Sequence, residues 1–166
     1  MDDLLKRLYD RHAAALKLYA RTWCRFPDDA VQEAMVELAK QPEMPSEPVA
    51  WLYRAVRFRA INLHRSEHRR RQREQAVADR REPYFVPDPT SEVDAVELES
   101  ALEGLAERER EIVVARIWGG LSFEQIAELT SLSSSSAHRH YQASLKKLKQ
   151  YLEESNPPLP LKRNRL

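Results

Sequence analysis

The sequence predicts an all-α protein of two small helical domains joined by a flexible linker, and three observations carry that prediction. Apolar residues recur at three- and four-residue spacing through most of the chain, and no alternating apolar/polar run bounded by turns suggests a strand. Glycine occurs only at Gly104, Gly119 and Gly120, so the helices have few internal breaks. Between the two periodic stretches, Arg65 to Arg81 is too charged to bury and is expected to fray, and Pro83, Pro87 and Pro89 mark an extended connector.

The first helix is read from Leu4 or Leu5, Leu8, His12, Ala15 or Leu16, Tyr19 and Trp23, ending before Pro27. Asp28 or Asp29 is expected to cap a second helix with Val31, Ala34, Met35 and Leu38 on one stripe, running out near Pro42. After the loop QPEMPSEP, Ser46 is expected to cap a third helix with Pro48 in its first turn, carrying Trp51, Leu52, Ala55, Val56, Phe58, Ile61 and Leu63 among arginines. The second domain restarts near Ser91, with Val96, Leu98, Leu102 and Leu105 leading to Ile112, Val113, Ile117 and Trp118. Each half is roughly 60–80 residues and buries only about 60% of its unfolded surface, so each is marginal alone and inclined to rely on a partner.

The most specific stretch is LSFEQIAELTSLSSSSAHRHYQASLKKL, from Leu121 to Leu148. Ser122 with Gln125 three places later is a capping box, starting a helix at about Phe123. Thr130 and Ser131 break the apolar spacing, Leu132 restores a contact, and Ser133 can accept backbone N–H groups at the start of a second helix. Ala137, Tyr141, Leu145 and Leu148 then face inward, leaving Ser135, His138, Arg139 and Gln142 outside. Small Ala127 lets the two helices approach, as a helix-turn-helix requires, and the outer groups can reach phosphates and base edges. An ordinary helical hairpin with a polar face is the bland alternative. Two positions depart from the motif: Ser131 stands where Gly is common, and Thr130 stands where an apolar residue is expected.

Composition bounds the function. No apolar run approaches the roughly 20 residues needed to span a bilayer, and the start MDDLLKRLYDRH lacks the features of a secretory signal, so a cytoplasmic protein without membrane insertion is expected. A lone Cys24 fits a reducing compartment and is read as a buried small apolar residue. Net charge is only +1, weak for a freestanding nucleic-acid binder, but it is unevenly spread. Arg54, Arg57, Arg59, Arg65, Arg69, Arg70, Arg71 and Arg73 crowd one segment with only Glu67 inside it before Glu74. From Asp88 to Glu111 the sign reverses, with Glu97, Glu99, Glu103, Glu107 and Glu109 among the acids, and basic groups return at Lys146, Lys147 and Lys149. Such blocks predict two separate cationic faces and an acidic connector able to repel DNA or meet a basic protein surface.

AWLYRAVRFRAINLHR, from Ala50 to Arg65, interleaves aromatics with arginines, which suits stacking on unpaired bases beside phosphate contacts. The competing reading puts Trp51, Tyr53 and Phe58 in the core, and at least one of Trp51 and Phe58 is expected to be structural. His64, Glu67 and His68 match an inverted zinc-peptidase signature, but flanking arginines would repel the ion. His138 and His140 diverge by about 200° on a helix and cannot share a metal. With no phosphate loop or nucleophile elbow either, no catalytic residue, metal or cofactor is expected, and the protein is not expected to be an enzyme.

Taken together, the chain resembles a sigma-70 family RNA polymerase sigma factor of the extracytoplasmic-function (ECF) type. DDAVQEAMVEL, from Asp28 to Leu38, is similar to the core-binding helix of sigma region 2, AWLYRAVRFRAINLHR to its promoter-melting and minus-10 helix, and LEGLAERERE through LKKL to region 4, which reads the minus-35 element. The resemblance implies a region 2-like domain of three or four helices over residues 1–74, a linker over 75–94, a region 4-like helix-turn-helix domain over 95–154 and a disordered tail over 155–166. It implies a monomer when free that binds core polymerase and directs promoter-specific initiation, with a freestanding helix-turn-helix regulator as the alternative.

Carried over by position, Asp29, Val31, Gln32 and Glu33 would meet the β′ clamp, while Met35 and Leu38 would be core. Trp51, Tyr53, Arg54, Arg57, Asn62 and Arg65 would face minus-10 DNA, helped by the Gln41 to Pro48 loop. Ser135, Ser136, His138, Arg139, His140 and Gln142 would meet the minus-35 duplex, and the surface around Arg116 and Trp118 the β flap. An anti-sigma factor is a further partner that the resemblance raises. Asn62 stands where many relatives carry Asp, and SSSSAHRHY departs from the common P-V-G-T-V-[KR]-S-R pattern, which bears on the preferred sequence rather than the docking mode.

Overall fold

Seven α-helices make up the regular structure of the computed structural model, which describes residues 2–74 and 93–155. Helices α1 (Asp2–Ala20), α2 (Pro27–Ala39) and α3 (Pro48–Glu74) pack mutually as a first domain. Helices α4 (Val93–Glu103), α5 (Glu107–Ile117), α6 (Phe123–Thr130) and α7 (Ser134–Ser155) form the second, with α7 against the other three. The expected restart at Ser91, nearly all of the linker and the tail beyond Ser155 lie outside the described residues.

The stripes read from the sequence face the core. Leu16 and Tyr19 of α1, Val31 and Leu38 of α2, and Leu52, Tyr53 and Val56 of α3 are fully buried. In the second domain Leu102, Ile112, Val113 and Ile126 fill the centre, and Ala137 and Leu148 of α7 close over them. Arg110 is buried with them and donates to the carbonyls of Leu102 at 2.8 Å, Glu103 at 3.0 Å and Leu105 at 3.1 Å. One guanidinium therefore gathers three carbonyls at the end of α4 and in the turn that follows it.

Three local expectations are corrected. Neither Asp28 nor Asp29 caps α2, because Phe26 holds the cap position and Pro27 opens the helix. Both carboxylates fall in the first turn instead, where they face the positive end of the helix dipole, and Asp28 pairs with Lys17. Helix α3 makes its first backbone bond from Trp51 N–H to the Glu47 carbonyl rather than to Ser46. That helix also persists to Glu74 where fraying was expected, since Glu67 with Arg71 and Arg70 with Glu74 form pairs one turn apart that offset the arginine repulsion.

The two helical domains stand as expected, and they are also in contact with each other. Their buried side chains form one continuous cluster, because the end of α1 and the middle of α3 pack against α5 and the turn after it.

Cys24 lies inside the first domain at 1% exposure, and burial pushes its thiol up to about 11. The thiol should therefore stay protonated at neutral pH, and its contribution to stability should be lost only as pH climbs past the ordinary thiol range toward that value. A thiol reagent at pH 7–8 is expected to modify the native chain no faster than it unfolds, and prompt modification would contradict this placement.

Candidate nucleic-acid interface

The helix-turn-helix forms by local chemistry. Gln125 N–H donates to Ser122 Oγ at 3.2 Å while Ser122 N–H donates to Gln125 Oε1 at 2.8 Å, closing the capping box that starts α6. The turn is made by Ser131 in the left-handed region at φ 56°, after which Leu132 N–H reaches back to the Ala127 carbonyl at 3.1 Å. Ser133 Oγ accepts from Ser136 N–H at 3.1 Å and caps α7. Thr130 is buried, and its hydroxyl donates to the Ile126 carbonyl at 2.7 Å, so a polar residue serves at an apolar position without an unmet bond.

On α7 the residues expected at a DNA duplex do face outward. Ser135, His138, Arg139 and Gln142 are exposed, and Ser136 and His140 are half-buried. Arg139 is steadied by a 3.1 Å bond to Ser136 Oγ, and the His138 ring meets the edge of Phe123 at 4.9 Å. Phe123 also carries the Arg116 guanidinium over its face at 4.7 Å, and Arg116 donates to the Leu121 carbonyl at 2.7 Å. Arg116 is thus spent largely inside the domain, while its neighbour Ile117 is 47% exposed. Lys147, in the basic run of α7, pairs with Glu109 of α5 at 2.6 Å.

Helix α3 divides the residues assigned to unpaired DNA. Arg65 is exposed, Trp51 and Asn62 are half-buried, and Phe58 is 61% exposed. Tyr53 is fully buried and cannot face DNA in this form. Its ring makes edge contact with Tyr19 at 4.7 Å, and the turn at Gly119 lies so close that an added Cβ would stand 2.7 Å from the tyrosine ring. Val31, assigned to polymerase, is likewise core at 1% exposure, because Ala30, Val31, Ala34 and Leu38 form the inward stripe of α2. Asp29, Gln32 and Glu33 are exposed as expected, and Val36 joins that face at 52% exposure. The His64 and His68 rings stack at 6.4 Å while Glu67 pairs with Arg71, and no group of three potential metal ligands occurs among the described residues.

Sequence reasoning missed the contact between domains. Glu111 of α5 accepts from Tyr19 Oη at 2.8 Å and from Arg57 Nε at 2.7 Å, with its side chain 3% exposed. Burial pushes its carboxyl above the ordinary carboxylate value, against the Arg57 charge and the two hydrogen bonds. Around it, Trp23 Nε1 donates to Glu107 at 2.9 Å and Arg21 grips Glu99 with two bonds of 2.9 and 3.2 Å. Farther out, Arg54 reaches Glu128 at 3.3 Å and Gln125 reaches Glu47 at 3.2 Å. The acidic run does meet a basic surface, and that surface is the chain's own. The only prior signal was the sign reversal between the two halves.

Two family descriptions match the chain, Sigma-70 region 2 over residues 8–71 and Sigma-70 region 4 over residues 95–148. The chain belongs to the sigma-70 family. It is an ECF-type sigma factor, and it directs transcription initiation. No curated protein matches it in sequence. In fold it is similar to the sigma factor RpoE of Bartonella quintana, solved in complex with the anti-sigma factor NepR, at 22% identity and TM-score 0.70, covering 92% of this chain and 98% of that one. It is also similar to CnrH, solved in complex with the cytosolic domain of CnrY, at 22% identity and TM-score 0.59, covering 93% and 90%. No described helix of this sigma factor is long and apolar enough to cross a membrane.

Ser131 supplies a direct test of the turn. A non-glycine residue held at φ 56° carries a conformational cost of about 1 kcal/mol that glycine avoids. Ser131→Gly is therefore expected to raise the unfolding free energy by about 0.5–1 kcal/mol in denaturant titrations. A loss of stability would mean the serine side chain contributes more than its backbone costs.

Proposed function

We propose that this sigma factor mounts on the β′ clamp of core RNA polymerase through the outer face of α2 and reads promoter DNA with α3 and α7, doing no bond chemistry itself. The observation that carries the reading is the exposed polar face of α7, held at a fixed angle by the capped α6 turn in a chain matched to both family regions. Asp29, Gln32 and Glu33, with exposed Val36, form the polymerase-facing surface, and Val31 supports it from the core. Trp51, Arg54, Arg57, Asn62 and Arg65 serve the minus-10 strand, where stacking contributes on the order of 1–3 kcal/mol per base. Ser135, Ser136, His138, Arg139, His140 and Gln142 serve the minus-35 duplex from the major groove. The surface around Ile117 and Trp118 meets the β flap.

A net charge of +1 supports a protein whose DNA affinity is completed by a larger assembly. The fold similarity to a sigma factor solved in complex with an anti-sigma factor supports a regulatory protein of that kind here as well. The free protein is a monomer on this reading.

Purified chain alone should bind promoter fragments weakly, and mixing with core polymerase should restore specific run-off transcription. Strong specific binding by a homodimer on a palindrome, without polymerase, would favour a freestanding regulator and contradict the proposal. Within the holoenzyme, Arg139→Ala is expected to cost about 1–3 kcal/mol and relax choice at one minus-35 position. An equal loss on every sequence would reassign that side chain to phosphate.

A further inference from the structure

We propose that His138 makes the minus-35 contact proton-linked: when charged, its imidazole donates to a purine N7 in the major groove, and the holoenzyme grips its minus-35 element more tightly as pH falls through the histidine range. The inference rests on the function proposed above and adds regulation of that same surface by protons.

Helix α7 begins at Ser134, so His138 is its fifth residue, and it shares one outward stripe with Ser135, Arg139 and Gln142. The first turns of a recognition helix are the part that meets base edges, while hydroxyls such as those before His138 suit the DNA backbone. His138 is exposed there beside Arg139, which is steadied by Ser136 Oγ at 3.1 Å. Of the four side chains in the stripe, only an imidazole changes charge near neutral pH.

The groups around the ring leave its proton to DNA. His138 meets Phe123 of α6 at 4.9 Å, and the Arg116 guanidinium of α5 lies over the same Phe123 ring at 4.7 Å. Tyr141 touches that ring from α7, and the adjacent charge on α7 itself is Arg139. Of the α6 carboxylates, Glu124 accepts from Ser134 Oγ at 3.4 Å, one turn before His138, and Glu128 is drawn to Arg54. Neither carboxylate pairs with the imidazole. A neutral imidazole carries one donor and one acceptor, whereas the charged ring donates from both nitrogens. A purine N7 offers only an acceptor, so it binds the charged ring better and draws a proton onto it.

His140 stands in the opposite situation. It is turned about 200° away from His138, half-buried, and within electrostatic reach of Glu109 of α5. That carboxylate is fixed by Lys147 at 2.6 Å and by the Ala106 N–H at 3.1 Å. A charge on His140 therefore has its anion inside the domain whether or not DNA is bound, which leaves His138 as the DNA-coupled group. His12, His64 and His68 belong to the first domain and do not sense the minus-35 sequence.

The test uses holoenzyme assembled from core polymerase and the full chain. It is titrated onto a promoter fragment recovered by run-off transcription, and onto the same fragment with its minus-35 element scrambled, at about pH 6 and about pH 8 and constant ionic strength. The ratio of the two affinities separates sequence reading from pH effects elsewhere in the polymerase. In the parent that ratio should rise about three- to tenfold from the higher pH to the lower. His138→Gln and His138→Arg should each leave it flat, the first lacking a charge and the second never losing one, while His140→Gln should keep the parent's slope. Far-UV helicity checks that each variant folds.

A parent ratio above one that does not change with pH overturns the proton linkage alone. So does a slope that survives in His138→Gln. An affinity gain of equal size on both fragments assigns the proton to backbone phosphate and overturns the reading of a base. A ratio of one at every pH overturns minus-35 reading by α7 itself, and the inference falls with it.

Discussion

A buried carboxylate needs partners, and the arrangement of the two domains follows from where Glu111 finds them. Taking a carboxylate out of water costs several kcal/mol unless it is hydrogen-bonded, and Glu111 obtains two donors to its Oε1 from the other domain. Those donors are themselves fixed. The Tyr19 ring is wedged against Trp23 and Tyr53, and the Arg57 guanidinium lies over Trp23 at 5.6 Å. The aromatic group would expose apolar surface if the domains parted, while the ions would regain water. The contact thus joins apolar burial, which favours closure, to ion pairs whose desolvation opposes it.

Domain size explains why such a contact forms. A bundle of three helices, or of four short ones, buries a modest fraction of its surface, and a second domain adds apolar burial that neither can supply alone. Tyr53 records the exchange most directly. Its ring gains contact with Tyr19 and the Gly119 turn, yet its hydroxyl loses water without gaining a partner. The arginines of α3 divide accordingly. Arg57 points into the interface and Arg59 into Glu33 and Glu37 of α2, whereas Arg65, Arg69 and Arg73 remain exposed along the far end of the helix.

What the sequence disclosed was whatever depends on neighbours within a few residues. The capping box of Ser122 and Gln125 and the cap at Ser133 were readable because each is complete within one turn of chain. The α2 start differs for a related reason, since two aspartates compete as caps on paper while the fixed φ of Pro27 settles the helix start two or three residues earlier. Val31 and Tyr53 were misplaced because transferring a role by position does not say which face of a helix is packed. Glu111 was invisible. In an acidic run it resembles a solvated residue, and only Tyr19 and Arg57, 92 and 54 positions away, reveal it as buried.

The most direct measurement is nitrogen-15 relaxation on the free chain in solution. If the two domains are held together through Glu111, amides of α1 to α3 and of α5 to α7 will report one common rotational correlation time, that of a single body. Two distinct and shorter correlation times, one for each domain, would contradict the account.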